Sequence, residues 1–416
     1  MKNQVLLTAL AATALTGVAS AQVKVTLWSH SGQGIEREVI DATVKKFNEA
    51  NKDIQIDLVR LPEGSYNDQV NAAALANRLP CVLDFDGPNL YNYAWSGKII
   101  PIDKYINAAT RADFLPSIIS QGTYNGKLYT LAVGDSGLAI WANRSLLAKA
   151  GVTIPNRPWT GNEFVQVLTR LKASGLQYPL DMKFNYGRGE WYTYGFAPIM
   201  QSFGGDLINR NGYQTASGVI NGPAAVRGMT YFQNLTKNFV NVATRSDTDF
   251  VEGRAAISFV GHWTWADYSK ALGDNLLLLP MPAFGGRQVT GMGGWNYGIS
   301  SDCPNPDAAA KVLLHMVSTE SVLAMSDAAG GVPSRKSAIA RSKNFGPNGA
   351  LSLYVRQLNS RAAVARPATP AYPAITKAFA EAAANIAAGG NVKAELDRAA
   401  RAIDQDIKDN NGYPNK

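Results

Sequence analysis

The side chains of this 416-residue chain best suited to hold a small molecule fall in a few short stretches: His30-Ser31, Asp86, Asp135-Ser136, Glu190-Trp191, Trp263, Gly294-Trp295 and Arg366. They mix two kinds of surface. An indole offers a flat apolar face, while carboxylate, guanidinium, imidazole and hydroxyl groups fix hydrogen-bonding partners in direction. A ligand with a C–H face and a rim of hydroxyls, such as a sugar, needs both, and charged partners make the stronger hydrogen bonds to it. A second chemistry uses the same residues: Asp86 and Glu190 are two carboxylates that could flank a scissile glycosidic bond.

Each residue also has a plainer role open to it. Asp86 could cap the helix that follows it. Glu190 could be a solvated loop charge within the aromatic run Tyr186, Trp191, Tyr192 and Tyr194. His30 could be satisfied by its own loop, and Arg366, held extended by Pro367, could pair with a carboxylate. Trp28 alternates into a strand and reads as core; Trp95 and Trp159 read as packing. No metal site is expected, because the three histidines are scattered and the two cysteines, Cys81 and Cys303, lie in no C-x-x-C. Nucleophile-elbow, H-E-x-x-H and Walker A patterns are absent from the sequence, which argues against esterase, zinc-peptidase and nucleotidase chemistry. No cofactor is implied.

The elements that must position these residues alternate from the start. Val23–Trp28 reads as a strand, Ile35–Asn48 as a helix with Val39, Ala42, Val44 and Phe47 on one stripe, and Ile54–Val59 as a strand. A helix over Ser65–Ala76 and a strand over Cys81–Phe85 continue a βαβ rhythm, the mark of a parallel sheet wrapped by helices. In such sheets ligands sit beyond the carboxyl ends of the strands. His30-Ser31 and Asp86 follow the first and third strands. Lys127–Val133 and Gly137–Ala142 flank Gly134-Asp135-Ser136, where the chain is expected to leave a first lobe. Helices over 162–173 and 223–239 belong to a second lobe, with a strand over Ala255–Val260 ending at Gly261-His262-Trp263. The tail from Thr376 to Asp409 reads as helix interrupted at Gly389-Gly390.

Composition bounds the rest. Hydrophobic residues make up 46% of the chain, enough for substantial cores, the length suits two large lobes or three small domains, and the formal charge of +8 comes from basic residues spread too evenly for a nucleic-acid groove. Lys2, the apolar stretch Val5–Val18 and Ala19-Ser20-Ala21 have the layout of a cleavable signal peptide over 1–21, too short in its apolar part to be a permanent span. A soluble, exported protein beginning near Gln22 is expected, without a lipid-anchor cysteine.

Taken in order, a series of stretches resembles a known family. They are Thr26-Leu27-Trp28-Ser29-His30, Asn125-Gly126-Lys127-Leu128-Tyr129-Thr130-Leu131 and Asn143-Arg144-Ser145-Leu146-Leu147-Ala148-Lys149-Ala150-Gly151, then Gly204-Gly205-Asp206, Gly253-Arg254-Ala255-Ala256, Gly293-Gly294-Trp295, Gly331-Val332-Pro333-Ser334-Arg335 and Arg366-Pro367. Their collinear order resembles the extracellular solute-binding proteins of sugar-importing ABC transporters, the maltose-binding type. The resemblance implies a periplasmic-binding-protein-like α/β fold: two discontinuous lobes with a ligand cleft at the hinge. Carried over, the first lobe spans 22–134 and 292–330, the second 135–291 and 331–416. It implies a return strand antiparallel to the one beginning near Cys81, and from that a Cys81–Cys303 disulfide. It also implies sugar contacts at His30, Ser31, Asp86, Asp135, Ser136, Glu190, Trp191, Trp263, Gly294, Trp295 and Arg366. The expected function is a monomeric periplasmic or secreted binder that passes a mono- or oligosaccharide to ABC permease subunits, with no nucleic acid involved. The alternatives are a non-sugar solute such as a glycerol phosphate, or an exported glycosidase.

Overall fold

The computed structural model describes residues 22–346 and 348–414; the signal peptide expected over 1–21 lies outside them. Two sheets organise the chain. The first has five strands in the order Ile54–Leu61, Val23–His30, Val82–Asp86, Trp295–Ile299, Thr130–Ala132. The first three are parallel, as the βαβ alternation requires. Helix Gly34–Ala50 makes the crossover, burying Ile40, Val44 and Phe47 on one stripe. The fourth strand runs antiparallel to both its neighbours.

The register of that return strand decides two things at once. Trp295 lies opposite Asp86 at one end, and Ile299 opposite Val82 at the other. The chain therefore arrives at the carboxyl end of Val82–Asp86 and leaves beside Cys81, where Cys303 closes a disulfide with a Cα–Cα distance of 4.4 Å. The pairing expected from the family likeness is present. It ties the end of the return strand to the first sheet across a sequence separation of 222.

The second sheet has four strands in the order Leu276–Leu279, Leu138–Asn143, Ile257–Gly261, Leu180–Asp181. Its core is separate from the first: Phe164, Phe196, Phe232 and Phe259 pack with Ile375, Phe379 and Leu396 of the two C-terminal helices, Tyr372–Ala387 and Val392–Asp409. The break between those helices at Gly389-Gly390 is as read from sequence. Between the sheets the chain crosses in short paired segments. Gly134–Asp135 pairs antiparallel with Val332–Pro333, and Thr290–Met292 pairs parallel with Ala363–Ala365.

Three elements differ from the sequence reading. The first strand runs through His30, so His30 ends a strand rather than standing in a loop. Lys127–Val133 is broken: Lys127–Leu128 closes a hairpin with Thr123–Tyr124, and only Thr130–Ala132 joins the first sheet. Glu190-Trp191 opens a helix, Glu190–Ser202, and does not lie in a loop. In addition, the boundary expected at 330/331 falls within a segment bonded to the first lobe. The Ser334 N–H donates to the Val133 carbonyl, Arg335 Nε to the Val317 carbonyl and the Ser337 N–H to Asp113.

Candidate functional site

The site grows from the end of the Val82–Asp86 strand. Asp86 begins a tight turn but does not cap it with its side chain. Its carboxylate instead accepts two hydrogen bonds from Arg366, at 2.5 Å from Nη1 and 2.8 Å from Nη2. Arg366 follows the Ala363–Ala365 hinge strand, and its Nη1 also donates to Glu190 Oε1 at 2.7 Å. Glu190 stands at the first turn of its helix, where a negative charge is favoured by the exposed N–H groups. Tyr372 donates to the same carboxylate, and Thr376 Oγ1 donates to Oε2 at 2.7 Å. One guanidinium thus joins a first-lobe carboxylate to a second-lobe one, lying over the Tyr194 ring 5.0 Å from its centroid.

The electrostatics follow from that burial. Desolvation disfavours the Arg366 charge, Asp86, Tyr372 and Glu190 together outweigh it, and the guanidinium is held well above its ordinary range. Burial lifts the Glu190 carboxyl above its usual value against the pull of Arg366. Within this cluster two acids face one base. Arg366 Nε is buried with no hydrogen-bond partner in the protein.

Trp191 follows Glu190 and meets a second indole, Trp263, and each ring is folded over a glycine. A β-carbon on Gly195 would lie 3.0 Å from the Trp191 ring, and one on Gly261 would lie 2.1 Å from the Trp263 ring, so glycine is required at Gly261 and sits close under the ring at Gly195. The rings meet edge to face at 5.9 Å, with Tyr186 edge-on to Trp191 at 5.4 Å. Their N–H groups are anchored, Trp191 to the Met182 carbonyl and Trp263 to the Tyr186 hydroxyl. Both indoles remain partly exposed, as does Trp295. Trp295 is backed by His30, stacked at 3.6 Å and nearly parallel, and by the edge of Tyr66.

The remaining candidates sit behind this surface or at the hinge. His30 Nδ1 lies 2.7 Å from Asp84, so its ring supports Trp295 from within. Ser31 follows it, and its carbonyl accepts from Arg37. Asp135 turns away from the cluster. It accepts from the N–H groups of Gly293 at 2.8 Å and Ser136 at 2.9 Å, and from Gln121 at 3.3 Å. Burial raises its pKa, those donors opposing the shift. Ser136 bonds to the Tyr194 hydroxyl and the Gly293 carbonyl. The polar atoms of these two stitch one crossing strand to the next. Gly294 belongs to the same stitch. Its carbonyl accepts from Gly87, and a β-carbon there would meet the Gly134 carbonyl at 2.6 Å. His262 is buried, its Nδ1–H donating to Ala329, and burial pushes its pKa down to about 4.

The sequence reading missed Tyr372 and Thr376, whose i, i+4 spacing on one helix face was the available signal. It also missed Asp84, the partner of His30. Among the described residues no cluster of ligating side chains could hold a metal ion. The space left beside Arg366, Tyr194 and Gly291 is about 10 Å³, room for roughly one water. A larger hollow of about 440 Å³, lined by Asn162, Tyr231 and Asn238, shares no residue with the site.

Comparison with known proteins places this geometry. The family model described as bacterial extracellular solute-binding protein matches residues 42–350. The sn-glycerol-3-phosphate-binding periplasmic protein UgpB of Rhizobium meliloti (strain 1021) is 25% identical over 157 residues, 36% of this chain and 36% of that protein. The matched stretch therefore spans about a third of that relative's length. Among solved structures, the GacH receptor of Streptomyces glaucescens GLA.O, determined unliganded and with acarbose, superposes with a TM-score of 0.79 at 22% identity, covering 93% of this chain and 98% of that one. A solute-binding protein from Thermotoga lettingae TMO bound with alpha-D-tagatose gives 0.81 at 20%, covering 92% and 99%. At these identities the structural likeness establishes the fold: two α/β lobes of the maltose-binding type.

Proposed function

The chain belongs to the bacterial extracellular solute-binding proteins, and from that premise we propose that it captures a carbohydrate between its two lobes and delivers it to an ABC-type importer. The observation that carries this reading is the meeting of Asp86, Arg366 and Glu190 from separate lobes, beside the partly exposed indoles of Trp191, Trp263 and Trp295. A sugar's C–H face suits the indoles, and its hydroxyls can replace the guanidinium's hydrogen bonds one for one. Because Arg366 joins Asp86 of one lobe directly to Glu190 of the other, the lobes must part to admit a sugar between them, so cargo binding shifts an open–closed equilibrium. The lobes of this reading run over 22–134 with 292–330 and over 135–291 with 331–416. The bonds of 334–337 to the first lobe favour a final boundary a few residues later. The protein acts outside the cytoplasm after loss of residues 1–21, as a monomer.

Direct sugar contact is assigned to Asp86, Glu190, Arg366, Trp191, Trp263 and Trp295. His30, Ser31, Asp135, Ser136 and Gly294 support them from behind. A glycerol phosphate is the second reading, raised by the UgpB relatives. An anion calls for converging cations, whereas the only base of this cluster, Arg366, already faces two carboxylates. Catalysis is disfavoured because the Arg366 side chain occupies the space between the acids that a glycosidase would use. A thermal-shift screen against mono-, di- and trisaccharides and sn-glycerol 3-phosphate decides the cargo. Ligand at 100 times its Kd stabilises the fold by about 2.7 kcal/mol. Stabilisation by the phosphate alone, or turnover of chromogenic glycosides, overturns the sugar-binder reading.

A further inference from the structure

The contact between lobes does not end at Arg366. After Asp86 the chain turns into the helix Leu90–Trp95, on which Asn92 and Trp95, three apart, share a face. Asn92 Nδ2 donates to the Pro370 carbonyl at 2.9 Å, and Trp95 Nε1 donates to the Pro414 carbonyl at 2.9 Å. The Trp95 ring also meets Tyr413 edge-on, with centroids 4.8 Å apart. Pro370 adjoins Ala371 of the second-lobe core, and Tyr413 packs against the same core. A seam therefore runs outward from the hinge: Gly87 on Gly294, Asp86 on Arg366, Asn92 on Pro370, Trp95 on Pro414. Within the helix, five steps at a rise of 1.5 Å carry Trp95 about 7.5 Å beyond Leu90. In an opening about the hinge strands, contacts farther from them separate farther, and Trp95 on Pro414 ends this seam.

The partner of Trp95 is built, not a trailing end. Many helices stop on a single left-handed residue. Here three follow in succession, Asn411 at φ +53°, Gly412 at φ +74° and Tyr413 at φ +54°. That conformation is unfavourable for the two that carry side chains. It is held by the Tyr413 hydroxyl donating to Asp406 at 2.6 Å, by the Gly412 N–H on the Ile407 carbonyl at 2.7 Å and by Gln214 on the Gly412 carbonyl at 3.1 Å. The result aims the Pro414 carbonyl across the gap at an indole of the other lobe.

We propose that the C-terminal hook 410–414 is a clasp that holds the two lobes shut by gripping Trp95. It rests on the reading that the lobes part to admit cargo, but it concerns their equilibrium and not what they hold. The test uses the ligand-free mature protein and two variants, a chain ending at Gly412 and Trp95→Phe, which keeps a ring but removes the N–H donor. Small-angle X-ray scattering reports the lobe equilibrium, with circular dichroism checking that each variant is folded. The expected result is a larger radius of gyration for both variants, the ratio of closed to open molecules falling about two- to tenfold for one hydrogen bond lost. Folded variants that scatter like the parent overturn the clasp. Failure of every saccharide in the thermal-shift screen would remove the cargo reading and leave this result standing.

Discussion

Asp135 and Asp86 are both buried carboxylates at the junction of the lobes, and the protein handles them in opposite ways. Asp135 accepts from the N–H groups of Gly293 and Ser136, donors that cannot move without moving the hinge. Asp86 accepts from the tip of one long side chain, Arg366, which is shared with Glu190 on the other lobe. Backbone partners make a fixed joint. A side-chain partner can be exchanged for a ligand's hydroxyls, and that difference separates the hinge from the cleft more sharply than burial does.

The largest expected effect tests the exchangeable side. Arg366→Ala leaves two carboxylates without their cation in a desolvated place, and breaking a buried pair from one side costs about 3–5 kcal/mol. Denaturant unfolding should show that loss, and Asp86→Asn added to Arg366→Ala should recover part of it. A loss below about 0.5 kcal/mol, the range of ordinary surface changes, would mean that water already satisfies the acids and that the contrast with Asp135 is false.

An intermediate effect lies on the fixed side, at His262, whose ring spans from the second sheet to the Ala329 carbonyl. Its pKa is depressed by burial to about 4, below the usual 6.5. A depressed value means the fold favours the neutral ring. The stability it contributes is complete above pH 6.5 and is lost as the pH falls toward 4, about 3 kcal/mol in all. Melting temperatures measured across that window should fall more steeply for the parent than for His262→Gln. Parallel curves would show that the ring is protonated without penalty.

What the sequence disclosed follows the same division. The strand–helix alternation of residues 23–86 was legible because each element carries its own period, and Asp86 stood out because it ends a strand. The Cys81–Cys303 pairing and the two-lobe arrangement came from collinear likeness, because antiparallel return across 222 residues leaves no local mark. Glu190-Trp191 was misread as loop. Tyr192, Thr193, Gly195 and Pro198 are indifferent or poor helix formers, and the helix exists because Tyr192–Ser202 is buried on all sides. The neutralisation of Asp86 by Arg366 was open only as an alternative, since its partners are 280 residues apart. The bonds of Asp135 and Ser136 to Gly293 were invisible for a related reason: their partners there are backbone atoms, which no side-chain pattern announces.

The smallest effect is therefore the most discriminating for the hinge. Burial raises the Asp135 pKa, so the fold favours its protonated form relative to the unfolded chain. A raised carboxyl pKa makes its contribution to stability complete below about pH 3.9 and progressively lost as the pH rises through the folded value. Asp135→Asn cannot titrate. Its amide oxygen can take the place of Oδ1 and keep both backbone N–H donors, while its NH2 stands where Oδ2 accepted from Gln121, a partner lost at a cost of about 1 kcal/mol. The variant should be least stable relative to the parent in acid, and the deficit should narrow as the pH rises through the raised pKa, because only the parent is losing stability there. Cargo affinity should change little, since the carboxylate faces the hinge strands. If Asp135→Asn instead abolished binding with its melting curve unchanged, the carboxylate would be a ligand contact after all, and the line drawn between it and Asp86 would dissolve.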